Sequence, residues 1–494
     1  MSNRLRLRWC YFPLLAGLVL LSGGGATERR PARAFEAAPF SPDQPPVAAL
    51  RHTARTANVV ICVIDAARAD HLGCYGYSRD TTPNLDRLAR QSVRFTSHFC
   101  QYVSTKPSTA SLFTSQHSDT HLVTGTRNLQ EDTFTMSEGL AAAGFRTVLF
   151  SSNPNASPGA SIGLDFHETY DQTDVEPFVE SWEDFTSPEP LLTLIRSWLD
   201  RHRRSRFFAY VHFDPPHQPY RQPDRMTALF AGQQPPAFSP GDFVFPVGDR
   251  KLLATSLHPP LPEWINLYDA NLRYADWAVG ELERALRQEG LLDNTLFIVT
   301  ADHGEAFGEH GYLWHERGVY EELARVPLLI RFPGGARPTP EIAALTQSID
   351  LLPTIFDTLQ VPYPAHGLQG RSLLPLIAGL VDRVHDHVLC RSDGRPPSYL
   401  LRTPRWALIL YGNGEWRELY DLEADPGQTT NVIARHPEVA AELLEAFRAF
   451  ALAQRRPPVD FLHPEAEPPP MPPAEQTEPT PEVRRRLRAL GYVD

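Results

Sequence analysis

The sequence predicts an α/β fold in which a central, mostly parallel β-sheet is flanked by helices. Three mostly apolar runs, Asn58–Ile64, Arg206–Phe213 and Thr295–Thr300, lack regular polar alternation, which is typical of strands buried on both faces of a parallel sheet. Helical patterns separate these runs, and strands alternating with helices are typical of parallel sheets. Because ligands of such sheets bind at the carboxyl ends of the strands, the residues that follow the runs are the first candidates for function.

The longest predicted helix precedes the third strand. Apolar residues with a 4-3-4-3-4 spacing form one face of this helix, and they are Tyr268, Leu272, Ala275, Val279, Leu282 and Leu286. The spacing predicts an amphipathic helix that ends near Gly290. Further along, four short strand candidates between residues 388 and 422 and a helix near Pro437–Leu452 predict a smaller C-terminal antiparallel sheet with a helix, packed against the main sheet.

Composition divides the chain into six parts. Three arginines, the apolar run Trp9–Leu21 and the small residues after it predict a secretory signal peptide at 1–26, with an uncleaved N-terminal membrane anchor as the alternative. We therefore expect the mature protein in the periplasm or outside the cell. The other predicted parts are a flexible spacer (27–55), a main α/β domain (56–385), a C-terminal subdomain (386–455), a Pro-rich linker (456–480) and a terminal helix (481–494).

Charge and cysteine content exclude some classes of protein. The chain has 494 residues and a formal net charge of −12 at pH 7, which argues against a general nucleic-acid-binding protein. Its apolar segments do not predict a multi-span membrane domain. Beyond the predicted signal peptide, Cys62, Cys74, Cys100 and Cys390 match neither a zinc clip nor a disulfide framework, so no disulfide is predicted.

Two of the predicted strands end in a carboxylate. Asp65 follows the first strand and Asp302 the third, and His303 follows Asp302. In a parallel sheet these strand ends lie at the same edge, so we expect the three side chains to converge. Carboxylate oxygens with an imidazole nitrogen suit one divalent metal ion, with zinc or manganese favoured and calcium as the other option. The alternative interpretation is a strand-end turn without a metal.

A predicted helix N-terminus and two histidines are further candidates. Pro107 is typical of a first helical turn, which places Thr105 just ahead of a helix, where unpaired N–H groups stabilise an alkoxide or an incoming anion. A metal would activate the Thr105 hydroxyl as a nucleophile; alternatively, Thr105 only caps the helix. His217 lies in a Pro-rich loop after the second strand, which suits a fixed general acid, and His315 lies in a Gly-containing loop behind the third strand.

Taken in order, these segments resemble the sulfatase branch of the alkaline phosphatase superfamily. The resemblance covers residues 57–450 and implies an alkaline-phosphatase-like fold. It rests on seven blocks that follow the family's order: Asn58–Gly76, Thr105–Thr114, Phe207–Tyr220, Thr300–Gly311, Asp350–Ile355, Gln369–Pro375 and Glu418–Pro426. Each block alone is weak, but seven in sequence are highly specific.

Two departures from the family's pattern concern the mechanism. Sulfatases that use formylglycine begin their nucleophile motif with Cys or Ser and carry Arg two residues beyond its Pro, whereas this chain has Thr105 and Thr109 at those positions. Oxidation of a Thr side chain gives no aldehyde, so we predict no formylglycine. Those sulfatases also commonly pair two Asp in the first motif and use Asp-Asn in the later one. Here Ala66 follows Asp65 and an imidazole replaces the amide, which moves the site from calcium toward zinc or manganese.

The resulting residue set resembles that of Thr-nucleophile relatives such as the phosphoethanolamine and phosphoglycerol transferases of bacterial envelopes. By this resemblance, the hydroxyl attacks phosphorus or sulfur in line, and the two histidines hold the non-bridging oxygens and protonate the leaving group. The implied metal ligands are Asp65, Thr105, Asp302 and His303. The implied catalytic residues are Thr105, His217 and His315, and the implied substrate-binding residues are Lys106, His217 and His315.

These features predict a metal-dependent hydrolase of sulfate or phosphate esters carried by a small molecule, a glycan or a lipid. The second hypothesis is a phosphotransferase that acts on envelope lipid or glycan head groups, and it would release product only when an alcohol acceptor is supplied. The third is a catalytically inactive binding protein with the same fold, which would contain no bound metal. The sequence does not distinguish sulfur from phosphorus as the natural centre.

Overall fold

The computed structural model describes residues 44–455, with gaps at 161–164, 172–173, 175–186, 237–243, 248–249, 254–260, 312, 316–317, 365, 395–396, 413 and 415. The predicted signal peptide, the Pro-rich linker and the terminal helix lie outside the described residues, as does most of the predicted spacer. The first three assignments, and the spacer outside the described residues, therefore stay predictions.

The α-helices of the described residues range from single turns to one long helix. In chain order they are α1 (Pro45–Ala54), α2 (Pro83–Ala89), α3 (Thr105–Thr114), α4 (Ser118–His121), α5 (Met136–Ala142), α6 (Pro188–His202), α7 (Asp224–Thr227), α8 (Leu261–Gln288), α9 (Glu321–Ala324), α10 (Leu351–Leu359), α11 (Leu374–Ile377) and α12 (Pro437–Leu452). Among these helices, none combines the length and apolarity that crossing a bilayer requires.

The β-strands are short, as is usual in globular domains. In chain order they are β1 (Asn58–Ile64), β2 (Val93–Phe95), β3 (His98–Phe99), β4 (Arg146–Ser151), β5 (Glu168–Tyr170), β6 (Phe207–Phe213), β7 (Val244–Val247), β8 (Arg250–Leu253), β9 (Thr295–Thr300), β10 (Ala306–Phe307), β11 (Leu313–Trp314), β12 (Leu328–Arg331), β13 (Glu341–Ile342), β14 (Thr346–Gln347), β15 (Val388–Ser392), β16 (Ser398–Arg402), β17 (Trp406–Tyr411) and β18 (Trp416–Asp421).

An eight-stranded sheet with the order β13-β2-β12-β9-β1-β6-β4-β5 lies at the centre. Its neighbouring strands are parallel except where β12 pairs with β9 and β2. Every residue of β1, β6 and β9 is buried, because helices cover both faces of the sheet and leave no solvent side for polar alternation. The predicted fold class is confirmed.

Successive side chains of a strand point to opposite faces of the sheet, so β6 contacts helices on both faces. On one face, Val211 of β6 belongs to a buried apolar cluster that includes Trp198 of α6 and Leu272 of α8. On the other face, the ring of Tyr210 lies 4.9 Å from the ring of Phe113 in α3. This second contact holds α3 against the sheet.

The last part of the predicted spacer is helical. In α1, Val47, Leu50 and Ala54 are buried, and the Arg51 guanidinium donates to the backbone oxygen of Asp357 in α10 at 2.9 Å. The prediction of a flexible spacer through residue 55 is wrong for this helix, because its apolar residues recur at helical spacing and pack against the domain.

The C-terminal subdomain matches its prediction. Strands β15 to β18 form an antiparallel sheet in sequence order, and α12 packs on it through Phe447, whose ring lies 5.2 Å from that of Tyr399. Cys390 of β15 and Cys100 face each other across the junction with the main domain, with 3.9 Å between their sulfur atoms. Both cysteines are buried and free.

Candidate active site

The ends of β1 and β9 bring two carboxylates and an imidazole together. Val63 of β1 pairs with Thr300 of β9, so Asp65 and Asp302, each two residues further on, lie side by side. His303 Nε2 lies 3.7 Å from Asp65 Oδ1 and 3.5 Å from Asp302 Oδ2. All three residues are buried, and one ligand atom from each lies within 4.8 Å of the others. The predicted convergence follows directly from the parallel register.

The donor atoms of this cluster fit a divalent metal ion. Asp65 Oδ1 and Asp302 Oδ2 are buried and have no hydrogen-bond partner, although buried polar atoms are normally satisfied. The His303 Nδ1–H donates to the Gly304 carbonyl at 2.8 Å, which leaves the Nε2 lone pair directed at the carboxylates. Two carboxylate oxygens without hydrogen-bond partners, beside one imidazole nitrogen, form a donor set that zinc or manganese prefers.

Neighbouring groups shift the pKa values of Asp65 and His303. Burial alone would raise the pKa of Asp65, but the nearby His217 and a hydrogen bond from His212 hold it below its usual range. Burial disfavours protonation of His303, but Asp302 and Asp65 raise its pKa. A divalent ion would relieve the repulsion between the two carboxylates, because buried like charges are costly without a counter-charge.

The nucleophile candidate is the first residue of a helix. α3 begins at Thr105, and the extended residue before it is Ser104, so the prediction that Thr105 lies just ahead of the helix is wrong by one position. Pro107, the third helical residue, is tolerated because the first four backbone N–H groups of a helix have no intrahelical partner. The structural consequence is small, since Thr105 still lies at the positive end of the helix.

A side-chain contact joins α3 to the end of β9. The Ser108 hydroxyl donates to the backbone oxygen of Asp302 at 2.6 Å. Thr105 is buried, and its Oγ1 lies 3.4 Å from His303 Nε2. The predicted hydroxyl is therefore within reach of the same ion that the carboxylates and the imidazole would hold.

The two predicted loop histidines lie beside this cluster. The ring of His315 lies 4.3 Å from the ring of His303 and 4.9 Å from that of His217. Burial lowers the pKa of His315 to about 3 and also lowers the pKa of His217. His217 Nδ1–H donates to the neighbouring carbonyl of Gln218. At neutral pH both rings are therefore uncharged.

Glu305 is a site residue that sequence reasoning missed. Its carboxyl group is fully buried, its Oε1 lies 3.3 Å from His315 Nδ1, and its Oε2 has no partner. Burial raises the pKa of Glu305 to about 7. An acidic residue two positions after His303 was the available signal, but the contact with His315 depends on the β10–β11 ribbon that returns the chain to Glu305.

The side chain of Lys106 hydrogen-bonds to a residue that was not among the predicted site residues. Its buried ammonium group donates to Oδ1 of Asn128 at 2.7 Å, and burial lowers the pKa of Lys106 to about 8. Asn128 belongs to a segment that carried no functional prediction. The substrate-binding role of Lys106 stays a prediction.

Three further polar residues surround Asp65 and were also missed. His212 Nε2 lies 3.0 Å from Asp65 Oδ2, and Asn153 Nδ2 donates to the same oxygen. Asp214 is buried with Oδ1 unpartnered, and burial together with Asp65 and Asp302 raises its pKa. His212 and Asp214 lie at the carboxyl end of β6, and Asn153 follows the carboxyl end of β4. These ends belong to the edge of the sheet at which ligands of such sheets bind.

Fold and site together define an α/β protein with a candidate metal centre at the carboxyl edge of its sheet. The chain belongs to the sulfatase family, whose model matches residues 57–361. A second model, N-sulphoglucosamine sulphohydrolase, C-terminal, matches residues 308–451. The predicted family membership is confirmed.

Individual relatives agree with this assignment. Arylsulfatase K of Bos taurus is 34% identical over 194 residues, which are 37% of this chain and 35% of that protein. Choline-sulfatase of Rhizobium meliloti (strain 1021) is 27% identical over 424 residues, covering 74% of this chain and 80% of that protein. The solved phosphonate monoester hydrolase of Agrobacterium radiobacter shares the fold, with a TM-score of 0.70, 22% identity and coverage of 80% of this chain and 96% of that chain. These names agree with the predicted enzyme class, an ester hydrolase.

Proposed function

We propose that this chain is a metal-dependent hydrolase of sulfate or phosphate esters in which Thr105 is the nucleophile and no formylglycine is formed. The observation that carries the proposal is the 3.4 Å separation between Thr105 Oγ1 and His303 Nε2, beside two carboxylate oxygens without partners. The substrate would be a small molecule, a glycan or a lipid that carries the ester.

The position of Thr105 favours its hydroxyl as the attacking group. A divalent ion held by Asp65, Asp302, His303 and the Thr105 oxygen would supply the positive charge that lowers the pKa of a hydroxyl. The first turn of α3 adds unpaired N–H groups and the positive end of the helix dipole at the same place. Thr105 therefore needs no oxidation to an aldehyde to become reactive.

Glu305 and His315 form a pair that can donate a hydrogen bond to the substrate anion. Because the pKa of Glu305 is raised to about 7 and that of His315 is lowered to about 3, the shared proton belongs to the carboxyl group in slightly acidic solution. The Glu305 O–H then donates to His315 Nδ1, and His315 keeps its hydrogen on Nε2. That N–H is available to a non-bridging oxygen.

His217 is suited to carrying a proton. Its Nδ1–H is committed to the Gln218 carbonyl, so the neutral ring presents Nε2 without a hydrogen. We infer that this nitrogen accepts the proton that Thr105 loses and delivers it to the departing oxygen. Water would then hydrolyse the ester formed on Thr105 and regenerate the free hydroxyl.

A substrate panel with two Thr105 variants tests the proposal. Wild type, Thr105→Ala and Thr105→Ser are assayed on sulfate and phosphate mono- and diesters with zinc, manganese or calcium. We expect Thr105→Ala to lose at least about a thousandfold in kcat/KM and Thr105→Ser to keep part of the activity, because only the latter retains a nucleophilic hydroxyl. Mass spectrometry of the peptide that contains Thr105 is expected to show an unmodified threonine. Equal turnover by wild type and Thr105→Ala would remove Thr105 from the mechanism.

An added alcohol acceptor and a measurement of bound metal extend this panel and separate the two alternative functions. Product release that requires an added alcohol acceptor would identify a phosphotransferase. A purified protein that binds no divalent ion and turns over no ester would identify a binding protein with the family's fold. The four convergent donor groups favour the hydrolase over the binding protein, because a protein without metal chemistry has no need to bury two unpaired carboxylate oxygens.

We also propose that the mature protein acts outside the cytoplasm. The basic N-terminus followed by the apolar run Trp9–Leu21 supports this location. N-terminal sequencing of the protein recovered from the periplasm or the medium tests it, and a chain that retains Met1 in a membrane fraction would indicate an anchor instead.

A further inference from the structure

The two oxygens of the Asp65 carboxylate have different surroundings. Oδ1 faces the metal-binding cluster without a partner. Oδ2 faces away and accepts hydrogen bonds from Asn153 Nδ2 and, at 3.0 Å, from His212 Nε2. Behind His212, the Tyr210 hydroxyl lies 2.9 Å from His212 Nδ1. A chain of contacts thus runs from Tyr210 through His212 to Asp65.

The sheet register creates this chain of contacts. Val63 of β1 pairs with His212 of β6, and the Asp65 backbone N–H continues the ladder by donating to the Phe213 oxygen at 3.0 Å. Tyr210 and His212 are two residues apart on β6 and therefore point to the same side of the sheet. Both side chains are fully buried, as is that of Asp65.

Chemistry assigns the direction of each hydrogen bond. The ionised Asp65 carboxylate only accepts hydrogen bonds, so the hydrogen of the His212 ring lies on Nε2. His212 Nδ1 then carries a lone pair and accepts the Tyr210 hydroxyl. A tyrosine in this position selects the tautomer of the histidine, and the histidine in turn fixes the plane of the carboxylate.

We propose that Tyr210 and His212 are positioning residues that hold Asp65 in the orientation of a metal ligand. The inference rests on the metal centre of the proposed function. Groups that hydrogen-bond to the ligands of a metal orient them and tune their strength, and their loss typically weakens metal binding by about 10–100-fold. Without the His212 donor, Oδ2 would be held by Asn153 alone, so the unpaired oxygen would be directed less firmly at the cluster.

Metal binding by the full-length protein tests this inference. The metal-free protein and its variants are titrated with Zn²⁺ and with Mn²⁺ by calorimetry. Tyr210→Phe removes one hydroxyl and keeps the ring, His212→Leu removes the donor to Asp65, and His212→Gln keeps an amide N–H near the position of Nε2. We expect about 10–100-fold weaker metal binding for His212→Leu and partial recovery in His212→Gln. Tyr210→Phe should weaken metal binding less, because the hydroxyl acts on Asp65 only through His212.

Tyr399→Phe is the matched control. Tyr399 is buried in the C-terminal sheet and its hydroxyl donates to the Asp119 carboxylate at 2.8 Å, so its loss reproduces the removal of a buried tyrosine hydroxyl away from the metal centre. We expect a lower Tm with unchanged metal affinity for this control. Wild-type affinity in Tyr210→Phe and His212→Leu would overturn the inference, whatever their Tm. If His212→Leu does not fold, Tyr210→Phe alone decides the question. Failure of the proposed function gives a different result, because wild type itself would then bind no metal ion.

Discussion

The backbone oxygen of Glu322 touches the chain at Gly304, immediately after the candidate ligand His303. A Cβ atom at position 304 would lie 1.9 Å from that oxygen, and the Gly304 N–H donates to the Leu323 oxygen at 2.8 Å. Two backbone segments therefore meet without room for a side chain. This contact fixes the turn that directs His303 toward the carboxylates.

Gly304→Ala should consequently displace the metal-binding turn. Because backbone atoms cannot move aside as a flexible side chain can, we expect loss of most metal binding and activity, measured by metal content and by kcat/KM. Gly125→Ala is the control, since a Cβ atom there would meet nothing within 4 Å. Wild-type metal content in Gly304→Ala would show that the turn tolerates the shift.

The pH profile should depend on Glu305. The pKa of Glu305 is raised to about 7, so below that pH its O–H donates to His315 Nδ1 and the ring keeps its hydrogen on Nε2. Above that pH the ionised carboxylate accepts a hydrogen from Nδ1, and Nε2 no longer carries one. We expect wild-type kcat/KM to fall as pH rises through about 7 for this reason. In Glu305→Gln the amide N–H donates to Nδ1 at every pH, so this decline should disappear.

Glu305→Ala is the companion variant, because it removes the donor altogether and should be slow across the whole range. Both variants are measured between pH 5 and 9 by kcat/KM. A decline in Glu305→Gln with the wild-type midpoint would assign the titration to another group.

Lys106 should contribute its charge to substrate binding. Burial lowers its pKa to about 8, so the ammonium is charged at pH 7 and loses its charge as pH rises through that value. We expect Lys106→Met to raise KM about tenfold or more at pH 7, since hydrogen bonds to charged groups are worth about 1.5–3 kcal/mol. Lys106→Arg, which stays charged, should keep a low KM at pH 9. An unchanged KM in Lys106→Met would exclude the role.

Metal removal should lower both activity and stability. A metal ion at a free concentration of 100 times its Kd stabilises the folded state by about 2.7 kcal/mol. A chelator is therefore expected to lower Tm and to abolish turnover. Zinc or manganese should restore both better than calcium. Asp302→Asn should abolish this response, whereas Asp200→Asn, at an exposed carboxylate, should leave it unchanged. Full activity in the presence of the chelator would contradict the metal centre.

Much of the fold and part of the site were predictable from the sequence. The continuous apolar runs of β1, β6 and β9 identify strands buried on both faces, and parallel strands necessarily align their carboxyl ends. Asp65 and Asp302 could therefore be expected to meet. The spacing of apolar residues likewise predicted α8, because a helix turns at a fixed rate.

The sequence could not identify the partners of these residues. His212 reads as one more residue of a buried strand, and Asn153 lies in a segment without periodicity, yet both donate to Asp65. Glu305 meets His315 only because the β10–β11 ribbon folds back. Such contacts depend on which strands are neighbours and on their exact alignment, and neither is encoded in a local pattern.

By itself, then, the amino-acid order determined the strands, the long helices and the chemistry available at the strand ends, because periodicity and burial act over a few residues. Only the tertiary structure decided that α1 packs on α10, that Thr105 opens its helix within reach of His303, and which oxygens of Asp65 and Asp302 are left without partners. Those outcomes arise from register and close packing between segments that are far apart in the chain.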